Sequence, residues 1–317
     1  MKPLRRLTIA LTAGVAALSL TPAAHAAPDP VPASPYLYQW GAKPNPATIM
    51  SQTGVKAFTL AFVLSDGGCN PAWDGTRPLT GADATLIRNI RAAGGEVIPS
   101  FGGWAGRKLG QHCSSADALA AAYQKVIDAY QLTAIDIDIE AAEFENATVQ
   151  DRVLGALKIV KQKKPGVRTV VTMPTNRSGL NTWGRRLVTR AKELAAPVDV
   201  WTVMPFNFGG PSDMVAGTKS AVDGLKEHVK TTFGLTDDAA YRRSGLSSMN
   251  GVTDTGETVS TADFRAIHDW AAGKHLARFT FWATNRDRGN CGASGDNCSG
   301  TNQGTYDFTK IVAGYTG

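Results

Sequence analysis

Three carboxylates alternate with three isoleucines in Ala134-Ile135-Asp136-Ile137-Asp138-Ile139-Glu140. A repeat of two is the period of a β-strand, whose side chains point alternately to opposite faces. Asp136, Asp138 and Glu140 therefore share one face, and the isoleucines share the other, which needs an apolar layer to cover it. Like charges stacked this closely cost free energy unless protons are shared or partners are supplied. The β-branched filling places the strand centrally in a sheet, where such a row reads as a site rather than a solvated face. A carboxyl group held among carboxylates keeps its proton toward neutral pH and can pass it to a leaving group. A divalent-metal shell is the competing use, but three acids in line on one strand are too linear for a compact ligand set. No metal site and no cofactor is expected.

The strand needs neighbours, and the chain supplies them at regular intervals. Strand-like apolar runs fall at residues 36–40, 57–63, 96–101, 134–139, 168–173, 199–204, 245–249 and 279–283. Between them lie helical patterns at 83–93, 116–130, 149–163, 182–195, 215–233 and 261–272. Eight strands with intervening helices predict an α/β fold, a single-domain TIM (β/α)8 barrel, whose active site lies at the carboxyl ends of the strands. No dinucleotide fingerprint follows the first strand and no phosphate-binding loop occurs. A Ser/His/Asp hydrolase is poorly supported, because no Gly-x-Ser-x-Gly elbow is present and His112, His228, His268 and His275 fall away from strand ends.

The acidic strand resembles the catalytic signature of glycoside hydrolase family 18, Asp-Gly-x-Asp-x-Asp-x-Glu. Its last three acids stand here as Asp136, Asp138 and Glu140, and Thr133-Ala134 replaces the leading Asp-Gly. The short Asp-x-Asp-x-Glu form is similar to a branch of bacterial and archaeal chitinases. Ser100-Phe101-Gly102-Gly103 is similar to the family's Ser-x-Gly-Gly motif one unit earlier, where paired glycines let backbone pass close beneath the acids. The resemblance implies a tryptophan floor beneath the cleaved sugar at Trp282, with Trp104 as a further lining candidate. Met204-Pro205-Phe206-Asn207 occupies the place of the family's Met-x-Tyr-Asp, with Phe206 and Asn207 at the tyrosine and aspartate positions. Asn207 is expected to hold an acetamido oxygen or a hydroxyl. Tyr38 is the candidate to replace the lost tyrosine hydroxyl. Met204, Met249 and Met173 are candidate pocket lining, core packing being equally open for Met173 and Met249, and Asn285-Arg286-Asp287 is expected to be a structural ion-pair and cap cluster.

By the same resemblance the reaction is hydrolysis of β-1,4 bonds between N-acetylglucosamine units with retention, the substrate's acetamido group serving as nucleophile. Glu140 would be the acid/base, Asp138 would orient the acetamido N–H, and Asp136 would share a proton with Asp138. Replacement of the family's first acid by Thr133 is expected to shift the pH optimum. The alternatives are a catalytically weak or inactive chitin-binding protein on the same barrel, or an endo-N-acetylglucosaminidase. The expected partner is chitin or its oligomers. Between strands seven and eight no long insertion is visible, which suggests a shallow, open cleft and endo action.

Residues 1–26 read as a secretory signal: Lys2, Arg5 and Arg6, then an apolar stretch too short to span a bilayer, then Ala24-His25-Ala26. The formal net charge is +6, half of it from those three basic residues, so no nucleic-acid partner is implied. Residues 27–35 read as a Pro/Ala-rich lead-in and 36–317 as the catalytic barrel, secreted, without a membrane anchor and monomeric. Four cysteines in an exported chain suggest two disulfides. Three pairings are possible; Cys69–Cys113 with Cys291–Cys298 is preferred because each bridge then joins loop to loop.

Overall fold

The computed structural model describes residues 29–41, 43–210 and 212–317; the expected signal segment lies outside them. In chain order the elements are β1 (Tyr36–Tyr38), α1 (Pro46–Thr53), β2 (Ala57–Ser65), β3 (Pro71–Trp73), α2 (Ala82–Ala92), β4 (Glu96–Gly102), α3 (Leu109–His112), α4 (Ala116–Tyr130), β5 (Ala134–Asp138), α5 (Ala141–Phe144) and α6 (Ala147–Lys163). There follow β6 (Arg168–Pro174), α7 (Thr182–Glu193), β7 (Val200–Met204), α8 (Met214–Phe233), α9 (Asp237–Tyr241), β8 (Ser244–Met249), β9 (Gly251–Val252), β10 (Thr258–Val259), α10 (Thr261–Gly273), β11 (Arg278–Trp282) and α11 (Asp307–Val312). Eight parallel strands run in the order β1-β2-β4-β5-β6-β7-β8-β11. This is the TIM barrel that the strand spacing predicts. The additions lie outside the barrel wall: β3 pairs antiparallel with β2, and β9 with β10 forms a hairpin beyond β8.

The alternation of each strand decides which side chains reach the interior. Ile135, Ile137 and Ile139 join the main core under the helices, with Val97, Phe101, Val171, Trp201, Val203, Leu246, Phe279 and Phe281. Asp136, Asp138, Ser100, Thr172, Thr202, Thr280 and Arg278 face the other way and are also buried. The inner filling is therefore partly polar, beside a small apolar cluster of Val31, Ile98, Ala134, Val170 and Val200. Arg278 lies fully buried near the floor, donating to Ser34 Oγ (3.0 Å) and Thr59 Oγ1 (2.6 Å). Gly245 leaves the space that its side chain enters, since a Cβ there would sit 2.7 Å from Arg278 Cβ. In β2 the pairing slips between Leu60 and Val63. That irregularity brings Ala61 and Phe62 together into the aromatic cluster of Tyr36 and Tyr38.

The barrel closes between β11 and β1 through side chains and through the lead-in. Asn285 accepts from Tyr38 N (3.0 Å) and donates to Tyr38 O (3.0 Å), imitating a pair of ladder bonds. Lower down, Phe279 N donates to Pro32 O (2.9 Å) and Thr280 Oγ1 to Ser34 O (2.6 Å). The lead-in residues thus stitch the seam rather than merely preceding the first strand. Cys69 pairs with Cys113 and Cys291 with Cys298, the preferred connectivity. No helix among the described residues is long and apolar enough to cross a membrane.

The cluster expected at Asn285-Arg286-Asp287 is corrected in part. Asp287 caps α11, accepting from Thr309 N (2.7 Å) and Thr309 Oγ1 (2.7 Å), but Arg286 makes no ion pair with it. Arg286 instead donates to the carbonyls of Asn250 (3.1 Å), Val252 (2.7 Å) and Gly295 (2.8 Å), tying three loops above the barrel. We expect Asn285→Ala to lower the unfolding free energy by about 2 kcal/mol, because it removes the acceptor of Tyr38 N and one of the two side-chain donors to Tyr38 O in a buried seam. A denaturant titration checks this, and an unchanged midpoint would show that the seam does not depend on the amide.

Candidate active site

The three acids occupy three different environments along one strand and the turn that follows it. Asp136 is the deepest and has no solvent exposure. Its Oδ2 accepts from Tyr36 Oη (2.9 Å) and Ser100 Oγ (2.6 Å), and its Oδ1 from Thr172 Oγ1 (2.7 Å). Burial and the Asp136 charge push the Tyr36 phenol well above its ordinary pKa, so the hydroxyl remains a donor. Both oxygens of Asp136 are thus engaged by hydroxyl groups.

Asp138 is equally dry but less provided for. It pairs in register with Gly102 on β4 and Thr172 on β6, and its Oδ1 finds no hydrogen-bond partner. Burial, followed by the charges of Glu140 and Asp136, raises its pKa well above the usual carboxylate range. The result is a carboxyl group that favours its neutral form and has one oxygen unused.

Glu140 lies just past β5 and opens the single turn of α5, its carbonyl accepting from Glu143 N (3.1 Å) and Phe144 N (3.2 Å). Burial lifts its pKa to about 7; the Lys108 ammonium pulls it down and the Asp254 carboxylate pushes it up. A carboxyl group poised near neutrality, half-buried at the mouth of a barrel, is suited to giving and taking one proton.

The glycines of the Ser-x-Gly-Gly segment fit closely beneath these acids. Gly102 has φ 109° and Gly103 φ 85°. A Cβ on Gly102 would collide with the Asp138 carbonyl oxygen, and one on Gly103 would lie 2.5 Å from the Phe62 ring. The Gly103 amide instead donates to Asp138 O (2.8 Å), so the turn acts as an extra ladder rung at the level of the site.

An aromatic platform is linked to the acids through Tyr36, whose ring lies 5.7 Å from that of Trp282 and whose hydroxyl bonds Asp136. Trp282 stacks on Phe62 (5.7 Å, 7° between planes) and on Tyr38 (5.1 Å, 23°), and Tyr38 stacks on Trp40 (4.3 Å, 16°). Trp282 and Trp40 keep part of their surface open, while Tyr38 is buried. The Tyr38 hydroxyl donates to the Asp296 carbonyl, so it is committed to a loop rather than directed at the acids. Tyr36, two residues earlier, is the tyrosine that reaches them.

Around the mouth, Met204 and Met249 end β7 and β8 on the inner side, Met249 in register with Trp282. Met173 belongs to the outer core and does not line the pocket. Phe206 packs partly on the core, and Trp104 is 73% exposed on the loop beyond Gly103. Asn207, in the left-handed region at φ 58°, donates from Nδ2 to Asp254 Oδ2 (3.0 Å) and accepts at Oδ1 from Asp254 N (3.1 Å). Its amide is therefore held by the turn between β9 and β10. Glu257 fixes that turn from below, accepting from Gly209 N (2.8 Å) and Thr255 Oγ1 (2.7 Å). Of the histidines, His228, His268 and His275 bond to Thr189, Asp269 and Asp238 at the periphery.

Comparison with known proteins agrees with this geometry. No protein-family model matches the chain. It is 27% identical over 299 residues to the "Probable bifunctional chitinase/lysozyme" of Escherichia coli, covering 86% of this chain and 33% of that protein. The chain spans about a third to a half of the length of the curated relatives it matches. Among solved structures, active domain 2 of a thermostable chitinase from Pyrococcus furiosus, complexed with chito-oligosaccharides, superposes with a TM-score of 0.81 at 28% identity, covering 90% of this chain and 98% of that one. A Family GH18 chitinase from Chromobacterium violaceum shares the fold, with a TM-score of 0.56 at 17% identity over 89% of this chain and 82% of that one. These likenesses support a glycoside hydrolase family 18 assignment for the chain.

Within this barrel, Asp136, Asp138, Glu140, Ser100, Gly102, Gly103 and Trp282 lie around the same strand ends. Sequence reading missed Tyr36, Thr172, Lys108, Glu143 and Asp254. Parity along β1 and β6 could have suggested the first two. We expect Gly102→Ala to displace Asp138 by part of an ångström and to lower kcat about 100-fold, the order typical of such a misplacement. The measurement is turnover of N-acetylglucosamine oligomers by folded variant protein, and full activity there would show that the close approach has no catalytic consequence.

Proposed function

We propose that this protein is a chitinase that hydrolyses β-1,4 bonds between N-acetylglucosamine units with retention of configuration. The carrying observation is the gradient along the acidic strand. A proton-poised Glu140 lies above a buried Asp138 with an unused oxygen, and both stand beside the Trp282 platform. The likeness to a Pyrococcus chitinase solved with chito-oligosaccharides supports the substrate class.

In this reading a sugar ring lies with its C–H face on Trp282. Glu140 gives its proton to the glycosidic oxygen as the bond to the anomeric carbon breaks. The acetamido carbonyl oxygen closes on that carbon and forms an oxazolinium ion, as in substrate-assisted families. Asp138 receives the acetamido N–H at the oxygen the protein leaves unpaired. Charge then develops on the acetamido group, and the Asp138 proton is drawn toward the hydroxyl-lined Asp136 below. Glu140, now ionised, takes a proton from water as it opens the ring from the same face. Met204, Phe206 and Met249 supply apolar walls, and Asn207 with Asp254 a polar rim. Export through the expected signal and a monomeric state complete the proposal; two disulfides fit an oxidising compartment.

Glu140 must be protonated to act on free substrate. The pH profile of kcat/KM should therefore have a basic limb near pH 7, activity falling as pH rises through the pKa of that group. Glu140→Gln should lower kcat about 1,000-fold with substrate binding preserved. Cleavage of oligomers with anomers resolved by NMR checks both, the β-anomer appearing first. Binding without turnover in wild type as well as variant would make the protein a chitin-binding barrel, and cleavage confined to peptidoglycan would reassign the substrate.

A further inference from the structure

Lys108 is buried among acids without making an ion pair. It is 3% exposed, and its ammonium donates to the carbonyl oxygens of Gly103 and Ala105 (2.5 Å to the latter). Those carbonyls belong to the turn whose Gly103 amide holds Asp138 O. Five residues further on, Cys113 is bridged to Cys69, which pins the segment carrying Lys108 to the loop after β2. Burying an ammonium costs several kcal/mol unless opposite charge lies close. Opposite charge comes first from Glu143, and Asp138 and Glu140 add to it when they are ionised.

Glu143 has no part in the proposed chemistry and yet is 2% exposed. It lies one turn beyond Glu140 on α5 and receives a backbone hydrogen bond from Gly110. A Cβ on Gly110 would collide with its Oε1, and one on Gly102 would lie 3.4 Å from its Oε2. Two glycines thus leave room for this carboxylate. Burial raises its pKa to about 7, and Lys108 opposes that rise. Lys108 acts in the same sense on Asp138 and Glu140. The charged groups facing Glu140 are then Asp138 from β5, Lys108 from the segment before α3, and Asp254 from the β9–β10 turn, with Glu143 facing Lys108 and Arg286 facing Asp254.

We propose that Lys108 is a positioning residue: its buried ammonium, fixed on the Gly103 and Ala105 carbonyls, is the shared counter-charge of Asp138, Glu140 and Glu143, and Glu143 limits how much of that charge Glu140 receives. The pair Lys108 and Glu143 sets the pH at which Glu140 holds its proton while neither touches the sugar. This inference rests on the chitinase reading.

The test is the pH profile of kcat/KM on N-acetylglucosamine oligomers for Lys108→Met, Lys108→Arg and Glu143→Gln. Removing the cation should move the basic limb up by about one pH unit, and Lys108→Arg should return it toward wild type. Removing the neighbouring anion should move it down. Opposite displacements support the proposal, because a merely structural loss lowers the plateau without moving the limb. A limb unmoved in both variants overturns it. Should Lys108→Met fail to fold, the direction of the Glu143→Gln displacement decides alone. A wild-type protein that never cleaves oligomers would instead overturn the chitinase reading.

Discussion

Two carboxylates almost wholly buried on one strand are the constraint to which the rest of this barrel answers. An ion taken from water into a protein interior costs several kcal/mol even after relaxation, and like charges on one face add to that cost. The barrel meets the cost differently at each level. At the bottom, three hydroxyls hold Asp136. At the middle, Asp138 escapes the penalty by favouring its proton. At the mouth, Glu140 is balanced between burial, a cation and an anion. Environments that separate the proton affinities of neighbouring acids are what divide their chemical roles.

Several features that look unrelated follow from this column. On the inner faces of the strands, Ser100 and Thr172 supply Asp136 with donors without adding charge. Arg278 lies beneath, close enough to lower the Tyr36 pKa, so positive charge faces the acids through the floor. The paired glycines bring an amide against the Asp138 carbonyl, and the amide of Asn285 closes the seam that would otherwise admit water beside Tyr38. Precision at the acids is thus a property of the closed cylinder rather than of β5 alone.

The part of this that could be read from sequence is the part with a period. Alternation identified β5 and assigned its two faces, and the recurrence of strand and helix patterns gave the barrel. Parity could also have placed Tyr36 inward beside Tyr38. Their heights were not readable, because height depends on the stagger between neighbouring strands, which no local pattern carries. In the barrel Tyr36 reaches Asp136 and Tyr38 reaches the Asp296 loop, so the hydroxyl expected to help the substrate was taken from the wrong level. Lys108, Glu143 and Asp254 stand in turns, where charged residues are usually solvated and no repeat marks the exceptions. Only the packing of Gly102 and Gly110 against Glu143 distinguishes it from a surface acid. Arg286 was misjudged for a related reason: neighbouring opposite charges in sequence suggest a pair, whereas loop carbonyls can satisfy a guanidinium equally well.

The departures at Phe206 and Asn207 acquire a physical meaning from the same geometry. A phenylalanine offers the acetamido group no hydroxyl, and Asn207 has both ends of its amide bonded to Asp254. Polar restraint of the acetamido group on the proposed mechanism therefore falls on Asp138. One strong acceptor is enough if the remaining freedom is removed by shape, and Met204, Phe206 and Met249 beside Trp282 offer apolar surface where the acetamido methyl needs it. Such a site gives up a neutral hydrogen bond, worth about 1 kcal/mol net, and depends more heavily on the placement of a single carboxyl group. That dependence is why the turn beneath Asp138 is built with so little slack, with glycine backbone on one side and a buried ammonium holding its carbonyls on the other.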